Sequence, residues 1–218
     1  GCTVRQKFDP RDIPPFPTLQ FERDLWQAGK ALVAGLDEAG RGALAGPLCA
    51  AVVVLPSGVT NLEGLLRGVR DSKQMSARER EKAAGAIREL AVDIAVGWCG
   101  PEELDELGMG KAGKVVFQRA LQGLSAAPEH LRIDYFALPG LTIGQTPLVK
   151  GDQRCLSIAC ASVIAKTTRD ALMRGAALNH PGYGFEENKG YGTWQHRQAL
   201  LALGPCPLHR RSFRLLGE

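Results

Sequence analysis

Two short apolar runs joined by a polar, glycine-rich segment constrain the fold more than any other feature of the chain. The first run, residues 31–34, leads into the polar segment, residues 35–47, and the second run, residues 50–55, reads Ala-Ala-Val-Val-Val-Leu. Runs of this kind are typical of buried strands, which we predict over residues 32–36 and 47–55. Because the link between them is short, we expect the two strands to pair antiparallel.

The segment between the two runs carries adjacent carboxylates, Asp37 and Glu38, followed by the turn Gly40-Arg41-Gly42. An acidic pair after a strand is often only a solvated turn. The two glycines, however, leave backbone N–H groups able to approach a ligand closely, and the Arg41 guanidinium is a donor suited to phosphate. A carboxylate pair that can bind metal, beside a loop that can bind anions, indicates phosphate chemistry.

The rest of the chain alternates strands and helices, without an internal repeat or a second-domain boundary. Further strands are predicted over residues 91–98 and 131–136. Helices are predicted over residues 19–28, from a Ser76/Glu79 capping box to residue 90, from Pro101 onward, and over residues 110–124, 154–178 and 194–203. The helix over 154–178 is rich in small residues, so we expect it to pack closely against the sheet. We therefore predict an α/β fold.

Composition limits the class of protein. With 218 residues, 44% hydrophobic and 23% charged, the chain resembles an ordinary globular domain. We predict an irregular, proline-rich arm and a helix over residues 1–29, and one domain over residues 30–218. No stretch of about 20 apolar residues could span a bilayer, and no secretory signal pattern is present, so a cytoplasmic protein is expected. The six cysteines lack Cys-x-x-Cys spacing and are expected to be reduced packing residues.

The C-terminal segment is basic. No acid lies between Glu187 and Glu218, whereas the same stretch contains Lys189, Arg197, Arg210, Arg211 and Arg214. This asymmetry suits binding of a polyanion, and a solvated, arginine-rich tail is the alternative.

Two further acids stand at informative positions. Asp134 lies inside a predicted strand, where a carboxylate resists burial unless a partner or a metal meets it. Asp152 precedes the long helix and can be explained as its N-cap. Together with Asp37 and Glu38, both could instead supply the oxygen ligands that Mg²⁺ and Mn²⁺ prefer. Two such ions about 3.5–4 Å apart can hold a phosphodiester, activate the attacking water and stabilise the leaving oxygen without a protein nucleophile.

Five sequence motifs follow one another along the chain. They are 36–42 (Leu-Asp-Glu-Ala-Gly-Arg-Gly) with 44–47 (Leu-Ala-Gly-Pro), 71–73 (Asp-Ser-Lys), 150–152 (Lys-Gly-Asp) with the small residues of 157–166, 183–193 with Tyr-Gly-Phe and Asn-Lys-Gly-Tyr-Gly-Thr, and 209–213 (His-Arg-Arg-Ser-Phe). With all five in this order, the chain resembles bacterial type 2 ribonuclease H, the ribonuclease HII family.

The resemblance implies a ribonuclease H-like fold, a mixed central sheet flanked by helices with a helical C-terminal part. It implies a metal-dependent endoribonuclease that hydrolyses the RNA strand of RNA–DNA hybrids. It also implies nicking on the 5′ side of single ribonucleotides embedded in duplex DNA, which leaves 3′-hydroxyl and 5′-phosphate ends. The catalytic, metal-ligating residues would be Asp37, Glu38, Asp134 and Asp152, with Mn²⁺ or Mg²⁺ as cofactor and two ions present during catalysis.

The same resemblance assigns roles in substrate binding. The turn Gly40-Arg41-Gly42 would read the 2′-hydroxyl, which RNA has and DNA lacks. Tyr191 would pack on the sugar at the RNA-to-DNA junction, although from the sequence alone ordinary packing is the commoner role of such a tyrosine. Ser72, Lys73 and Lys166 would meet phosphates, and the basic C-terminal segment would hold the duplex.

The chain departs from the family at Tyr135-Phe136, where many members have Gly-Asn after the aspartate. Bulk at position 135 is expected to alter how the strand end meets substrate. The alternatives are a ribonuclease H-fold nuclease of other selectivity, such as a resolvase or a hybrid-only ribonuclease, and a non-catalytic nucleic-acid-binding module. The Gly-Arg-Gly turn with Tyr191 disfavours the first, and the presence of all four acids disfavours the second. The expected partners are RNA–DNA hybrids and ribonucleotide-containing duplex DNA, bound by a monomer that has no membrane contact.

Overall fold

A mixed, five-stranded sheet forms the centre of the computed structural model, which describes residues 8–134 and 136–216. The strands are β1 (Val33–Ala39), β2 (Leu48–Val54), β3 (Asp93–Cys99), β4 (His130–Asp134) and β5 (Gly144–Leu148). Their order across the sheet is β3-β2-β1-β4-β5. The pairs β1/β2 and β2/β3 are antiparallel, as predicted for the first two strands, whereas β4 lies parallel to both β1 and β5.

Helices cover both faces of this sheet. They are α1 (Gln20–Gln27), α2 (Leu62–Leu65), α3 (Ala77–Leu90), α4 (Pro101–Leu107), α5 (Met109–Gln122), α6 (Gly151–Arg154), α7 (Leu156–Asn179), α8 (Phe185–Asn188) and α9 (Trp194–Leu203). Helices α1, α3 and α7 contribute to the apolar core on one face, and α4 and α5 to the core on the other. The mixed sheet flanked by helices, with a helical C-terminal part, confirms the predicted fold class.

Strand β2 shows why the sheet requires cover on both sides. All seven of its residues are buried. Ala51 and Val53 belong to the core under α7, whereas Ala50 and Val52 belong to the core under α5, because alternate side chains of a strand point to opposite faces. A strand that is apolar on both faces is therefore stable only when the sheet is the middle of three layers, with helices on each side.

Helix α7 lies very close to β1, as its small residues predicted. A Cβ atom at Gly35 would collide with the backbone of Ser157, so only glycine allows this approach. Ala159, Ala161 and Ala165 are wholly buried along the same helix. This close contact places the start of α7, and the short helix before it, next to the ends of β1 and β4.

Several local predictions are confirmed, and others are wrong. Helix α3 begins with the predicted capping box of Ser76 and Glu79, and α9 spans the predicted residues with Thr193 as its N-cap. Strand β4 ends at Asp134 rather than at Phe136, and Tyr135 lies outside the described residues. Strand β5 was not predicted, because its glycine and proline interrupt the apolar pattern; a proline is tolerated at the edge of a sheet.

The interpretation of Asp152 as the N-cap of the long helix is wrong. Asp152 lies in the first turn of α6, and the N-cap of α7 is Cys155, whose side chain makes no capping hydrogen bond. The capping acceptor comes instead from α1, where the wholly buried Glu22 accepts from Ser157 N (2.8 Å) and from Cys155 Sγ (3.0 Å). The helix predicted over residues 19–28, observed as α1, thus contributes to the start of α7; residues 1–7 of the predicted arm lie outside the described residues.

Two other expectations concern the chain as a whole. Among the described residues, Cys49, Cys99, Cys155 and Cys160 are free and buried, which confirms packing roles for them, and Cys206 is free and half-buried. No helix in the described ranges has both the length and the apolar character needed to cross a membrane.

Candidate active site

The predicted carboxylates meet at one edge of the sheet. Because β1 and β4 are parallel neighbours and Leu36 pairs with Ile133, the residues that follow them, Asp37 and Asp134, emerge side by side. Asp134 Oδ1 accepts a hydrogen bond from the N–H of Gly151, 2.7 Å away, at the start of α6. This contact places the α6 residue Asp152 beside the strand ends.

Burial and mutual repulsion dominate the electrostatics of this set. Asp37 is 8% exposed and Asp152 is 4% exposed. Burial, followed by the charges of the other three carboxylates, raises the pKa of Asp37 well above its ordinary value. Burial, with the charges of Asp134 and Asp71, raises the pKa of Asp152 to about 7. Burial also raises the pKa values of Glu38 and Asp134, despite the nearby Arg41 guanidinium and the Gly151 N–H.

These acids have the chemistry of a divalent-cation site. Within the described parts of the chain, no lysine or arginine nitrogen forms an ion pair with Asp37, Asp134 or Asp152, and Glu38 has only a long contact to Arg41 (3.4 Å). Among the same described residues, no group of three or more His, Cys, Asp or Glu side chains is already arranged to coordinate a metal ion. Buried, mutually repelling carboxylate oxygens nevertheless fit Mg²⁺ or Mn²⁺, because a hard cation removes the repulsion that raises their pKa values.

The raised pKa of Asp152 predicts how stability depends on pH. From about pH 4 to about pH 7, the folded protein keeps a proton on Asp152 that the unfolded chain has lost. The folded state therefore binds more protons, and the free energy of unfolding should fall as pH rises through this window. Melting temperatures measured in chelator across this range should decline less steeply for Asp152→Asn than for the wild type. Equal slopes would contradict the prediction.

The Asp71-Ser72-Lys73 segment lies beside the acids. Asp71, 5% exposed, accepts from Lys73 N (3.0 Å), and its charge contributes to the raised pKa of Asp152. Lys73 is exposed to solvent over much of its side chain. Burial of the remainder lowers its pKa, but the charges of Asp71 and the nearby acids outweigh this effect and raise the pKa. Ser72 is 4% exposed and hydrogen-bonded through its hydroxyl to Ser162 Oγ (2.8 Å), so its contact with a phosphate stays a prediction. Asp71 was not predicted to belong to the acidic set, although the motif over residues 71–73 contains it.

Two buried arginines hold the Gly-Arg-Gly turn. Gly40 has φ +92°, and a Cβ there would collide with the Arg169 side chain. Arg169, wholly buried, donates to Pro47 O (2.8 Å), Ala45 O (2.9 Å) and Lys189 O (2.8 Å). These bonds tie the segment after β1 to the loop before α9.

Arg210, also wholly buried, donates to Arg41 O (3.1 Å) and Gly46 O (3.0 Å). The expectation that the basic C-terminal segment holds a duplex is therefore wrong for Arg210, whose guanidinium is buried inside the protein and donates to two backbone carbonyls. Arg197 likewise donates to the backbone, at Leu215 O (2.7 Å). Charge in the sequence could not reveal this, because burial follows from tertiary contacts.

The fold brings Tyr191 next to the Gly-Arg-Gly turn. The carbonyl oxygen of Gly190 accepts from Leu44 N (2.8 Å) and Ala45 N (3.2 Å), which joins the two loops directly. The half-buried Tyr191 ring lies 5.2 Å from Lys166 Nζ and 5.3 Å from the Arg169 guanidinium carbon. Lys166 also pairs with Asp170 (2.8 Å). Three predicted substrate-binding elements, the turn, Lys166 and Tyr191, are thus neighbours.

A cleft of about 490 Å³ adjoins the acids. Its lining joins Glu38, Arg41 and Asp134 to residues of α5 and the segment after β4, namely Gly110, Gly113, Lys114 and Phe136. The contribution of α5 was not predicted, because nothing in the local sequence distinguishes an exposed helical lysine that faces a site from one that faces solvent. Lys114 is exposed and places a positive charge in the same cleft as Glu38 and Asp134.

Comparison with known proteins identifies the family. The Ribonuclease HII family model matches residues 34–216. The chain belongs to the ribonuclease HII family. Ribonuclease HII of Chloroflexus aurantiacus is 48% identical over 91% of this chain and 93% of its own length, and that of Moorella thermoacetica is 46% identical over 89% and 92%. The chain spans 62% of the length of the Anaeromyxobacter ribonuclease HII, to which it is 47% identical.

Solved ribonuclease H structures share the fold. The ribonuclease H2 of Pyrococcus horikoshii is 27% identical, with a TM-score of 0.69 over 84% of this chain and 94% of that one. The Archaeoglobus fulgidus RNase HII, solved in a complex with PCNA, is 26% identical, with a TM-score of 0.69 over 86% and 97%. As a family member, the chain is a metal-dependent endoribonuclease with ribonuclease H activity on RNA–DNA hybrids.

Proposed function

We propose that the chain also nicks duplex DNA on the 5′ side of single embedded ribonucleotides, by two-metal-ion hydrolysis that leaves 3′-hydroxyl and 5′-phosphate ends. The observation that carries the proposal is the proximity of two sets of groups. Asp37 and Glu38 near the end of β1 lie beside Asp134 at the end of β4, and the turn directly after β1 is joined through Gly190 to the loop of Tyr191. Part of each set, the acids Asp37 and Glu38 and the turn Gly40-Arg41-Gly42, therefore lies in one short segment, and the remaining residues are brought to it by the fold.

The acids would hold the metal ions in this reaction. Asp37, Glu38, Asp134 and Asp152 would be the ligands, and Asp71 would influence the charge of Asp152 from the side. Two divalent ions bound there would supply an activated water and stabilise charge on the leaving oxygen. The carboxylates must be deprotonated to bind, so their raised pKa values predict weaker binding as pH falls.

The neighbouring loops would select the substrate. Backbone N–H groups of the turn Gly40-Arg41-Gly42 are suited to a single 2′-hydroxyl, and the space that a Cβ atom would occupy at Gly42 is open. Tyr191 would pack on the sugar of the next nucleotide. Lys73 and Lys166 would contact phosphates, where the attraction is independent of sequence and sensitive to salt. Such a site suits ribonucleotide removal in replication and repair, carried out by residues 30–218 acting as a monomer.

The decisive experiment is a cleavage assay on matched duplexes. A DNA duplex with one embedded ribonucleotide should be nicked on the 5′ side of that residue in Mg²⁺ or Mn²⁺, whereas the all-DNA duplex of the same sequence should stay intact. Chelator should abolish the nick. An RNA–DNA hybrid is the positive control, since its cleavage shows that the enzyme is active. Hydrolysis of the hybrid without nicking at the single ribonucleotide would refute the proposed selectivity.

A further inference from the structure

Two buried histidines connect the C-terminal segment to the Tyr191 loop. His196, in α9, is 0% exposed, and His209 is 1% exposed. Their Nε2 atoms lie 3.0 Å apart, and both rings pack against the ring of Phe185. Neither residue has a role in the proposed hydrolysis. A direct contact between two imidazole nitrogens requires that one of them donates and the other accepts.

The surroundings of His209 determine its tautomer. The backbone N–H of Cys206 donates to His209 Nδ1 at 2.9 Å. The shorter contact, from an N–H group that can only donate, assigns Nδ1 as an acceptor; the Cys206 carbonyl oxygen, which would require a protonated Nδ1, lies farther away at 3.3 Å. A neutral His209 then carries its proton on Nε2.

The surroundings of His196 determine the complementary tautomer. His196 Nδ1 lies 2.8 Å from the carbonyl oxygen of Tyr191, which can only accept, so Nδ1 carries the proton and Nε2 is an acceptor. The tautomers of His209 and His196 are assigned from different contacts, and they agree: the Nε2–H group of His209 faces the acceptor Nε2 of His196 and can donate to it. Burial lowers the pKa of His209 to about 4 and also lowers the pKa of His196, which keeps both rings neutral.

We propose that this directional chain, from Cys206 N–H through His209 and His196 to the Tyr191 carbonyl, positions Tyr191 for discrimination of embedded ribonucleotides. His196 and His209 are positioning residues in this scheme, which rests on the proposed function. The backbone N–H of His196 also donates to Thr193 Oγ1 (3.2 Å), so one residue holds both ends of the Tyr191–Thr193 turn.

Other contacts place the rest of the tyrosine. Its N–H donates to Asn188 O (2.9 Å), and its carbonyl also accepts from Thr193 N (2.8 Å) within the same turn. The ring is held between Lys166 and Arg169 of α7. The His196 bond links the Tyr191 carbonyl to the buried core, and a displacement of about 1 Å at a group that contacts substrate can lower a rate about a hundredfold.

A matched pair of variants separates positioning from packing. In His196→Asn, the amide nitrogen occupies the place of Nδ1 and can still donate to Tyr191 O; it needs no bond from His209, because an amide NH2 always donates whereas the imidazole needs His209 to fix its tautomer. In His196→Gln, the amide reaches the place of Nε2, so the bond to His209 is kept and the bond to Tyr191 is lost. Both remove the ring, and melting temperatures will show whether both lose similar packing.

We expect His196→Gln to nick the single-ribonucleotide duplex about tenfold more slowly relative to the hybrid than the wild type does, and His196→Asn to stay within about threefold. Equal ratios in the two variants would overturn the positioning role, provided that the wild type nicks the duplex. If the wild type itself fails to nick it, the proposed function fails, and the discriminating role fails with it.

Nitrogen-15 NMR of the wild-type imidazoles provides a test that does not depend on variant folding. We expect His196 to be protonated on Nδ1 alone and His209 on Nε2 alone at neutral pH. A protonated Nδ1 on His209, or a charged form of either ring, would overturn the directional chain.

Discussion

Asp37→Asn is expected to lower the rate of hybrid cleavage about a thousandfold, because Asp37, as a proposed metal ligand, would contribute several kcal/mol of transition-state stabilisation through the bound ion. The fold should persist. Asp37 Oδ1 accepts from Glu38 N (2.8 Å), and an asparagine oxygen can keep that bond. Burial and neighbouring carboxylates raise the pKa of Asp37, so a neutral amide relieves an unfavourable charge. The melting temperature in chelator should therefore be unchanged or higher.

The matched control is Asp24→Asn. Asp24 is exposed on α1, where it accepts from Gln20 Nε2 (2.9 Å), and its change removes the same charge from a helix that contributes none of the four acids. Its activity should equal that of the wild type. Single-turnover cleavage at saturating Mg²⁺ measures the effect, and a titration with the metal shows whether affinity is lost as well. Near-normal cleavage by Asp37→Asn would exclude a shared metal site at this position.

Arg169→Lys is expected to destabilise the protein by about 3 kcal/mol, even though it keeps the charge. The guanidinium serves three carbonyl groups, those of Ala45, Pro47 and Lys189, inside the protein. A lysine side chain has only one nitrogen, which cannot reach all three carbonyl oxygens. At least one of these carbonyls therefore loses its hydrogen-bond partner. Urea unfolding should show a lower midpoint with an unchanged slope.

Arg174→Lys is the control for this change. It lies on the same helix but is exposed, with a long contact of 3.5 Å to Glu81, so the free energy of unfolding should change by less than about 0.5 kcal/mol. Because Arg169 also contacts the Tyr191 ring and the segment after Gly40, its variant should lose cleavage at single ribonucleotides as well. If the two variants proved equally stable, the hydrogen bonds of Arg169 to the three carbonyls would not stabilise the fold as proposed.

Much of the architecture around the site was predictable because its signals are local. The apolar run of β2, the capping box of α3 and the Thr193 cap of α9 each depend on residues close together in sequence. Strand β5 escaped prediction because an edge strand is half-exposed and tolerates a proline. The start of α7 was misassigned because its capping acceptor, Glu22, comes from a different element of the chain.

The sequence by itself determined which groups are available for chemistry: hard oxygen donors at Asp37, Glu38, Asp134 and Asp152, and a flexible turn beside the first two. Only the tertiary structure decided how they are used. The parallel pairing of β1 with β4 brings Asp134 beside Asp37, and their shared burial raises the pKa values that a cation would lower. The tertiary structure also buries Arg169 and Arg210, whose guanidinium groups donate to backbone carbonyls and hold the loops beside the site. The reason is physical, since residue type sets charge and hydrogen-bonding capacity, whereas burial and partners depend on segments far apart in the chain.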